Sequence, residues 1–140
     1  MKLKLVTLQG IKIDREVYEV IISTSEGEIA IFPDHEPLVA LAVPGVIAVR
    51  GKKGDSDDKL DYYAISGGVI EVSQNLVRVL VDEATYSDEI VESESQAALK
   101  RAIELRDSAA DQVELDKAHQ LVDRHSVRLK IAELRRRRRS

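Results

Sequence analysis

The sequence predicts an α+β protein with two segregated parts, an N-terminal antiparallel β-sandwich and a C-terminal two-helix antiparallel hairpin. All seven Gly and all three Pro of the 140 residues precede Ser87, and none follows it. Before that residue apolar side chains recur at every second position, and after it at every third or fourth. These periods are typical of strands and of amphipathic helices. We therefore place a β-sandwich domain at residues 1–86 and a helical hairpin at residues 87–140.

The N-terminal part contains short runs that alternate apolar with polar residues or are rich in β-branched residues, as strands are. Residues 51–61, GKKGDSDDKLD, predict an exposed hairpin tip. Ser73, Gln74 and Asn75 predict a second, tight turn, because Asn tolerates a positive φ. Several short strands indicate a sandwich. The predicted strands cover residues 2–7, 17–22, 28–31, 46–50, 62–65 and 69–72, with a further apolar strand that ends at Pro44-Gly45.

The first helix is predicted to begin at Ser87, which would act as its N-cap. Asp88 and Glu89 then lie in the first turn, where the helix dipole favours anions. A seam of mostly small side chains follows in alternating steps of four and three residues, and small side chains allow a partner helix to approach closely. The seam consists of Val91, Ser95, Ala98, Ala102, Leu105 and Ala109.

The second helix is predicted to begin just after Asp111, where Glu114 completes a start that resembles a capping box. Because two helices with matching seams bury them against each other, the sequence predicts an antiparallel hairpin. The second seam has the same period as the first and consists of Leu115, Ala118, Val122, His125, Leu129 and Ala132.

The join between the two helices lacks the usual helix breakers. Residues 106–112 contain no Gly or Pro, and Asp111 is the one clear stop signal among them. The hairpin can therefore straighten into a nearly continuous helix, and the sequence is compatible with an element that has two conformations. From the residues alone, a permanently folded hairpin is the default, because burial of matched seams is the rule for paired helices.

Composition excludes several classes of protein. The chain has no Cys and no apolar run near the roughly 20 residues of a membrane span, which excludes disulfides, thiol chemistry and integral insertion. The first residues alternate Lys with Leu, which predicts a strand and not a secretory signal. The net charge is -4, yet residues 135–139 are five consecutive arginines. We expect the partner of that basic end to be acidic.

The histidines do not form a catalytic or metal-binding pattern. Asp34, His35 and Glu36 are consecutive, and side chains of an extended chain point in alternating directions, so we favour a contact or structural hydrogen bond for His35 over a metal site or general base. His125 lies in the apolar seam of the second helix, where we expect a hydrogen-bonded interface histidine. No nucleophile with a base and no paired acids are evident, so we expect a protein that is not an enzyme.

Two stretches carry a family resemblance. They are GEIAIFPDHEPLVALAVPG at residues 27–45 and SGGVIEVSQNLVRVLVDEA at residues 66–84. Both closely resemble the N-terminal sandwich of the epsilon subunit of F-type ATP synthases, whose pattern combines Gly-Glu, Pro-x-His-x-Pro-Leu, Pro-Gly and Gly-Gly-x-x-Glu-Val. The resemblance covers essentially the whole chain. Ala30 departs from the Gly usual at its position, which adds a methyl group without threatening the strand.

The resemblance implies a place in the central stalk of a rotary complex. In this family the sandwich contacts the gamma subunit on one face and the polar loops of the c-ring at its base. On that pattern, Glu28 is the candidate for the c-ring contact and His35 the candidate for the gamma contact. Membrane association then comes only through the complex. Since nothing resembles a transit peptide, we expect a peripheral position on the cytoplasmic face of the bacterial cell membrane.

The resemblance also implies a regulatory tail. Basic residues on the second helix of some family members engage an acidic loop of the catalytic beta subunit and inhibit ATP hydrolysis when the hairpin extends. Bidentate contacts of arginine with carboxylate suit that role. The candidates for the beta-subunit contact are Arg124, Arg128, Lys130, Arg135, Arg136, Arg137, Arg138 and Arg139.

Cofactors are not expected. Some family members bind ATP on the folded hairpin through Ile/Leu-Asp-x-x-Arg-Ala, and here Val91 stands for the Asp, Glu94 for the Arg and Ser95 for the Ala. A carboxylate thus replaces the cation that would meet phosphate.

A nucleic-acid-binding module that uses the C-terminal arginines is the alternative from another class. One Phe and four Tyr offer little stacking surface, and the net charge is negative. We therefore expect no nucleic acid among the partners.

Overall fold

A computed structural model describes the backbone of residues 1–139 and the side chains of residues 1–137. Two single 3₁₀ turns, Asp57–Lys59 and Ser87–Glu89, accompany the regular elements. The strands are β1 (Lys2–Thr7), β2 (Gly10–Glu16), β3 (Glu19–Thr24), β4 (Gly27–Ile31), β5 (Leu38–Arg50), β6 (Asp61–Ile65), β7 (Gly68–Ser73), β8 (Leu76–Val81) and β9 (Ala84–Tyr86), and the helices are α1 (Glu92–Asp107) and α2 (Gln112–Arg139).

The predicted fold class is confirmed, since a sandwich-like sheet precedes two helices. The ladder runs in the order β2-β1-β8-β7-β5-β3-β4, and β6 pairs with both β5 and β9. The pairs are antiparallel except that of β1 with β8, which is parallel. One contiguous apolar core draws on both halves of the sheet, and its fully buried members include Leu3, Leu5, Ile22, Ile31, Ile47, Ile70 and Val79.

Strand β5 joins the two halves of the sandwich. Residues 38–42 pair with β7, whereas residues 45–49 pair with β6. The prediction of two strands separated at Pro44-Gly45 was wrong, because the chain continues through this point as one strand of 13 residues. Proline cannot donate a ladder hydrogen bond, and here it lies where the strand exchanges one partner for the other.

The two predicted turns are confirmed. Residues 51–60 join β5 to β6. Gln74 and Asn75 connect β7 to β8 with φ values of 44° and 60°, so the tight turn uses the left-handed conformation that Asn tolerates. Strands β2 and β9 were not predicted.

The predicted start of the first helix was wrong. Ser87–Glu89 forms a single 3₁₀ turn, Ile90 is extended, and α1 begins only at Glu92. Ile90 is 4% exposed and packs against Ile131 and Ala132 of α2. This apolar burial keeps the chain extended and overrides the local capping signal. Two members of the predicted first seam are also misplaced, since Val91 and Leu105 are exposed.

The two helices form the predicted hairpin and lie folded against the sandwich. Asp111 Oδ1 accepts the backbone N–H of Glu114 at 2.8 Å, and Glu114 Oε2 accepts that of Ala110 at 2.9 Å, which confirms the capped start of α2. Near its far end, α2 buries Ile131 and Ala132 against Ala64 of β6. Every member of the predicted second seam is buried or half-buried.

We predict that Gly68→Ala destabilises the sandwich severely. Gly68 has a φ of +156°, and a Cβ placed there would lie 1.9 Å from the carbonyl oxygen of Leu80. The clash is with the backbone of the neighbouring strand, so we expect the free energy of unfolding to fall by about 3 kcal/mol in urea denaturation. Gly54→Ala is the control, because its Cβ would meet nothing within 4 Å. Equal stability of the two variants would contradict the register of β7 with β8.

Candidate functional site

The basic side chains of α2 meet an acidic residue of the sandwich. Arg128 Nη2 lies 2.9 Å from one carboxylate oxygen of Glu83, and Arg124 Nη2 lies 3.2 Å from the other. Arg128 also donates to Thr85 Oγ1 at 3.2 Å. Glu83 lies between β8 and β9, 45 residues from Arg128 along the chain. One carboxylate thus receives two guanidinium groups from successive turns of α2.

The next basic residues of α2 also bind their own chain. Arg135 donates to the carbonyl oxygens of Ser87 and Ile90, the latter at 2.9 Å. These bonds attach the segment before α1 to α2. Arg136 pairs with Glu92 at the start of α1 at 3.0 Å. These contacts place both arginines at the junction of the hairpin with the sandwich, a role that the sequence did not predict.

Two further basic candidates with described side chains differ in their surroundings. Arg137 pairs with Glu133 one turn earlier on the same helix, at 2.6 Å, and Lys130 is exposed. Arg138 and Arg139 lie outside the described side chains. Of the eight predicted candidates, the structure therefore brings Arg124, Arg128, Arg135 and Arg136 to contacts with the sandwich or with the start of α1.

Three cavities have Arg128 in their lining, and two of them border the helical hairpin closely. One of about 320 Å³ lies between α2 and the sandwich and includes Glu83, Asp123 and Arg124 in its lining. The other, of about 400 Å³, lies between the two helices and the segment before α1, and both carboxylates Glu89 and Glu94 line it. A hydrogen bond from Lys12 lowers the pKa of Glu89, so this carboxylate keeps its negative charge.

His125 differs from its prediction. The prediction of a hydrogen-bonded interface histidine was wrong, because Nδ1 of His125 is buried and has no hydrogen-bond partner in the described part of the chain. Burial lowers the pKa of His125, and the positive charges of Arg128, Arg124 and Arg101 lower it further. The imidazole therefore favours its neutral form in the folded hairpin.

The loop before β5 is fixed by a contact between the two stretches that carry the family resemblance. Asp34 has a φ of 65°, its N–H donates to Asn75 Oδ1 at 2.6 Å, and Asn75 Nδ2 donates to Asp34 Oδ1 at 3.0 Å. Next to it, His35 is half-buried and Nδ1 bonds the carbonyl oxygen of Glu36 at 2.7 Å, as a structural histidine does. Glu28 is exposed on β4, the edge strand.

An apolar row crosses the outer face of the sheet. The register places Leu41 of β5 opposite Val69 of β7, and Val69 opposite Leu80 of β8. Leu80 in turn lies opposite Val6 of β1, and Val6 opposite Ile11 of β2. Leu41 is 60% exposed and Ile11, at the other end, is 61% exposed. This surface was not predicted from the sequence, although LVALAV in β5 is apolar on both of its faces. We call Leu41, Val69, Leu80, Val6 and Ile11 the apolar row.

Comparison with known proteins identifies the family. The family described as "ATP synthase, Delta/Epsilon chain, beta-sandwich domain" matches residues 1–87. A protein of Herpetosiphon aurantiacus named "ATP synthase epsilon chain" is 37% identical over 139 residues, which cover 99% of this chain and 98% of that protein.

Solved structures agree with this match. A chain of the Euglena gracilis mitochondrial ATP synthase, in a structure of OSCP, F1 and c-ring, superposes with a TM-score of 0.78 at 26% identity and covers 94% of this chain and 79% of that one. A chain of the Tetrahymena thermophila central stalk and c-ring shares the fold, with a TM-score of 0.58 at 16% identity over 96% of each chain.

Neither described helix is long and apolar enough to cross a membrane. From its sandwich to its helical hairpin, the chain belongs to the ATP synthase epsilon-chain family.

Proposed function

We propose that this chain links the gamma subunit to the c-ring in the central stalk and restrains ATP hydrolysis through its C-terminal helices. The apolar row carries the first part of the proposal, because a contiguous exposed apolar surface on a small protein marks an interface. The relative in Euglena is part of an assembly that contains F1 and a c-ring. The chain itself is a structural and regulatory subunit, and catalysis belongs to other subunits.

The apolar row is the proposed gamma-binding surface. Its side chains lie in register on one face of the sheet, so a single flat partner surface can cover them together. Next to the apolar row, on the side nearer the β7–β8 turn, Glu71 of β7 and Arg78 of β8 pair at 3.5 Å. This ion pair supplies a polar rim. His35 stays a proposed gamma contact near that turn, and Glu28 stays the proposed contact to the polar c-ring loops.

The tail is proposed to act through a competition between carboxylates. In the folded hairpin, Glu83 holds Arg124 and Arg128, which are candidates for contact with an acidic loop of the beta subunit. The same guanidinium groups cannot serve both partners at once. Opening of the hairpin therefore releases them, and binding to the beta subunit keeps the hairpin open and blocks rotation.

ATP is not proposed as a ligand of the hairpin. Glu89 and Glu94 both face the cavity between the helices, and a triphosphate there would meet two carboxylates. The nucleic-acid alternative has no support, because five of the basic residues on α2 already bind groups of this chain. We propose that the complex holds the chain at the cytoplasmic face of the bacterial cell membrane.

We predict that Leu41→Lys weakens binding to the gamma subunit at least tenfold in calorimetric titration. The variant loses the burial of a leucine, worth about 2 kcal/mol, and adds a charge to an apolar contact. Leu105→Lys is the matched control, because Leu105 is similarly exposed but lies on α1. Undiminished binding of Leu41→Lys would remove the apolar row from the interface.

We predict that Glu83→Gln strengthens inhibition of ATP hydrolysis. Both ion pairs are partly exposed, so their loss favours the open hairpin by about 1 kcal/mol, or about fivefold in the ratio of open to closed forms. The measurement is the chain concentration that halves hydrolysis by a core of alpha, beta and gamma subunits. Asp82→Asn, which removes the neighbouring charge, is the control. Weaker inhibition by Glu83→Gln would contradict the competition.

We predict that calorimetry detects no binding of millimolar ATP to the chain. A variant that carries Val91→Asp, Glu94→Arg and Ser95→Ala restores the family motif and is expected to gain affinity, because it replaces a carboxylate by a cation at the cavity. Binding of ATP to the unaltered chain would show that the arginines of α2 suffice.

A further inference from the structure

His125 leaves a buried polar atom without a partner in the described part of the chain. Its Nδ1 has no hydrogen bond, although it lies where α2 meets α1. A buried donor or acceptor without a partner carries a cost that the folded state must bear. Neither the restraint of hydrolysis nor the contact with gamma uses this side chain.

Arginines and carboxylates both lie around His125, and the arginines act on it more strongly. Arg101 faces it from α1, and Arg124 and Arg128 face it from its own helix. Glu83 approaches from the sandwich, but its carboxylate already pairs with two of these arginines. Glu89 and Glu94 line the same cavity, and Glu89 pairs with Lys12 at 2.9 Å. A proton added to the imidazole would thus enter a buried position beside three cations.

We propose that His125 makes the folded hairpin sensitive to acid, so that its protonation opens α1 and α2 away from each other. The proposal rests on the proposed opening of the hairpin and adds the group that controls it. In the open hairpin the ring is in water and takes up a proton readily. In the closed hairpin burial and the arginines oppose that proton.

The direction of the pH dependence follows from this difference. The closed form has the lower pKa, and the ordinary value is 6.5. Above about pH 6.5 the ring is neutral in both forms, so the closed hairpin keeps its full stability. As the pH falls below that value, the open form gains a proton that the closed form resists. The ratio of closed to open molecules therefore falls with acidification.

The test is thiol protection in the isolated chain. The sequence has no Cys, so Ala102→Cys places a single thiol on the α1 seam at a residue that is 2% exposed. Its labelling rate, divided by the rate in the urea-unfolded chain at the same pH, gives the open fraction. We expect this fraction to rise several-fold between about pH 7.5 and about pH 5.5, above the range in which ordinary carboxylates titrate.

Two variants in the same background identify the group responsible. His125→Gln is expected to abolish most of the rise, whereas His119→Gln, which removes an exposed histidine from the same helix, is expected to retain it. An equal rise in His125→Gln and the parent, or no rise in the parent, would overturn the proposal.

A second measurement keeps the proposal testable even where the His125→Gln substitution itself loosens the hairpin. Titration of the ring protons by NMR in the unaltered chain should give His125 a pKa below the ordinary value of 6.5, and a pKa above it would also overturn the proposal. Both readouts concern hairpin packing alone, so they remain informative even if the tail does not inhibit hydrolysis.

Discussion

The burial of Ile131 against the sandwich determines how the hairpin lies. Ile131 is fully buried with Ala132, Ile90 and Ala64, and an isoleucine buried in this way contributes about 2 kcal/mol. A partly exposed ion pair contributes less than about 1 kcal/mol. The apolar contact therefore holds α2 in place, and the ion pairs of Arg124 and Arg128, on the preceding two turns, set its position relative to Glu83. Because each of these contacts contributes only a few kcal/mol or less, their sum is compatible with the proposed opening of the hairpin.

The sequence predicted the fold class because periodicity and the distribution of Gly and Pro are local properties. It could not predict that β5 continues through Pro44, since that depends on pairing with β7 on one side and with β6 on the other. It misplaced the start of α1 for a similar reason. Ser87 carries a good local capping signal, but the burial of Ile90 against α2 keeps the chain extended up to Val91. In both cases a contact distant in sequence prevailed over a local preference.

The candidate site was predictable in its members and not in its geometry. The resemblance at residues 27–45 identified the family, and charge identified the arginines of α2. Nothing local predicts that Glu83 receives Arg128 from 45 residues away, or that Asp34 pairs with Asn75 from 41 residues away. The unpartnered Nδ1 of His125 was likewise invisible, since the apolar seam around it suggested an ordinary interface histidine. The contact of Arg128 with Glu83 connects the helices to the sandwich, whereas that of Asp34 with Asn75 joins two loops within the sandwich.

The most direct test of regulation by the hairpin compares the full chain with a chain that ends at Tyr86. Both are added to a core of alpha, beta and gamma subunits, and ATP hydrolysis and binding to gamma are measured together. The sandwich core is formed by residues before Ser87, so the shorter chain retains its apolar row. We expect both chains to bind gamma and the full chain alone to slow hydrolysis. Equal rates with both chains bound would contradict a regulatory role for the helices.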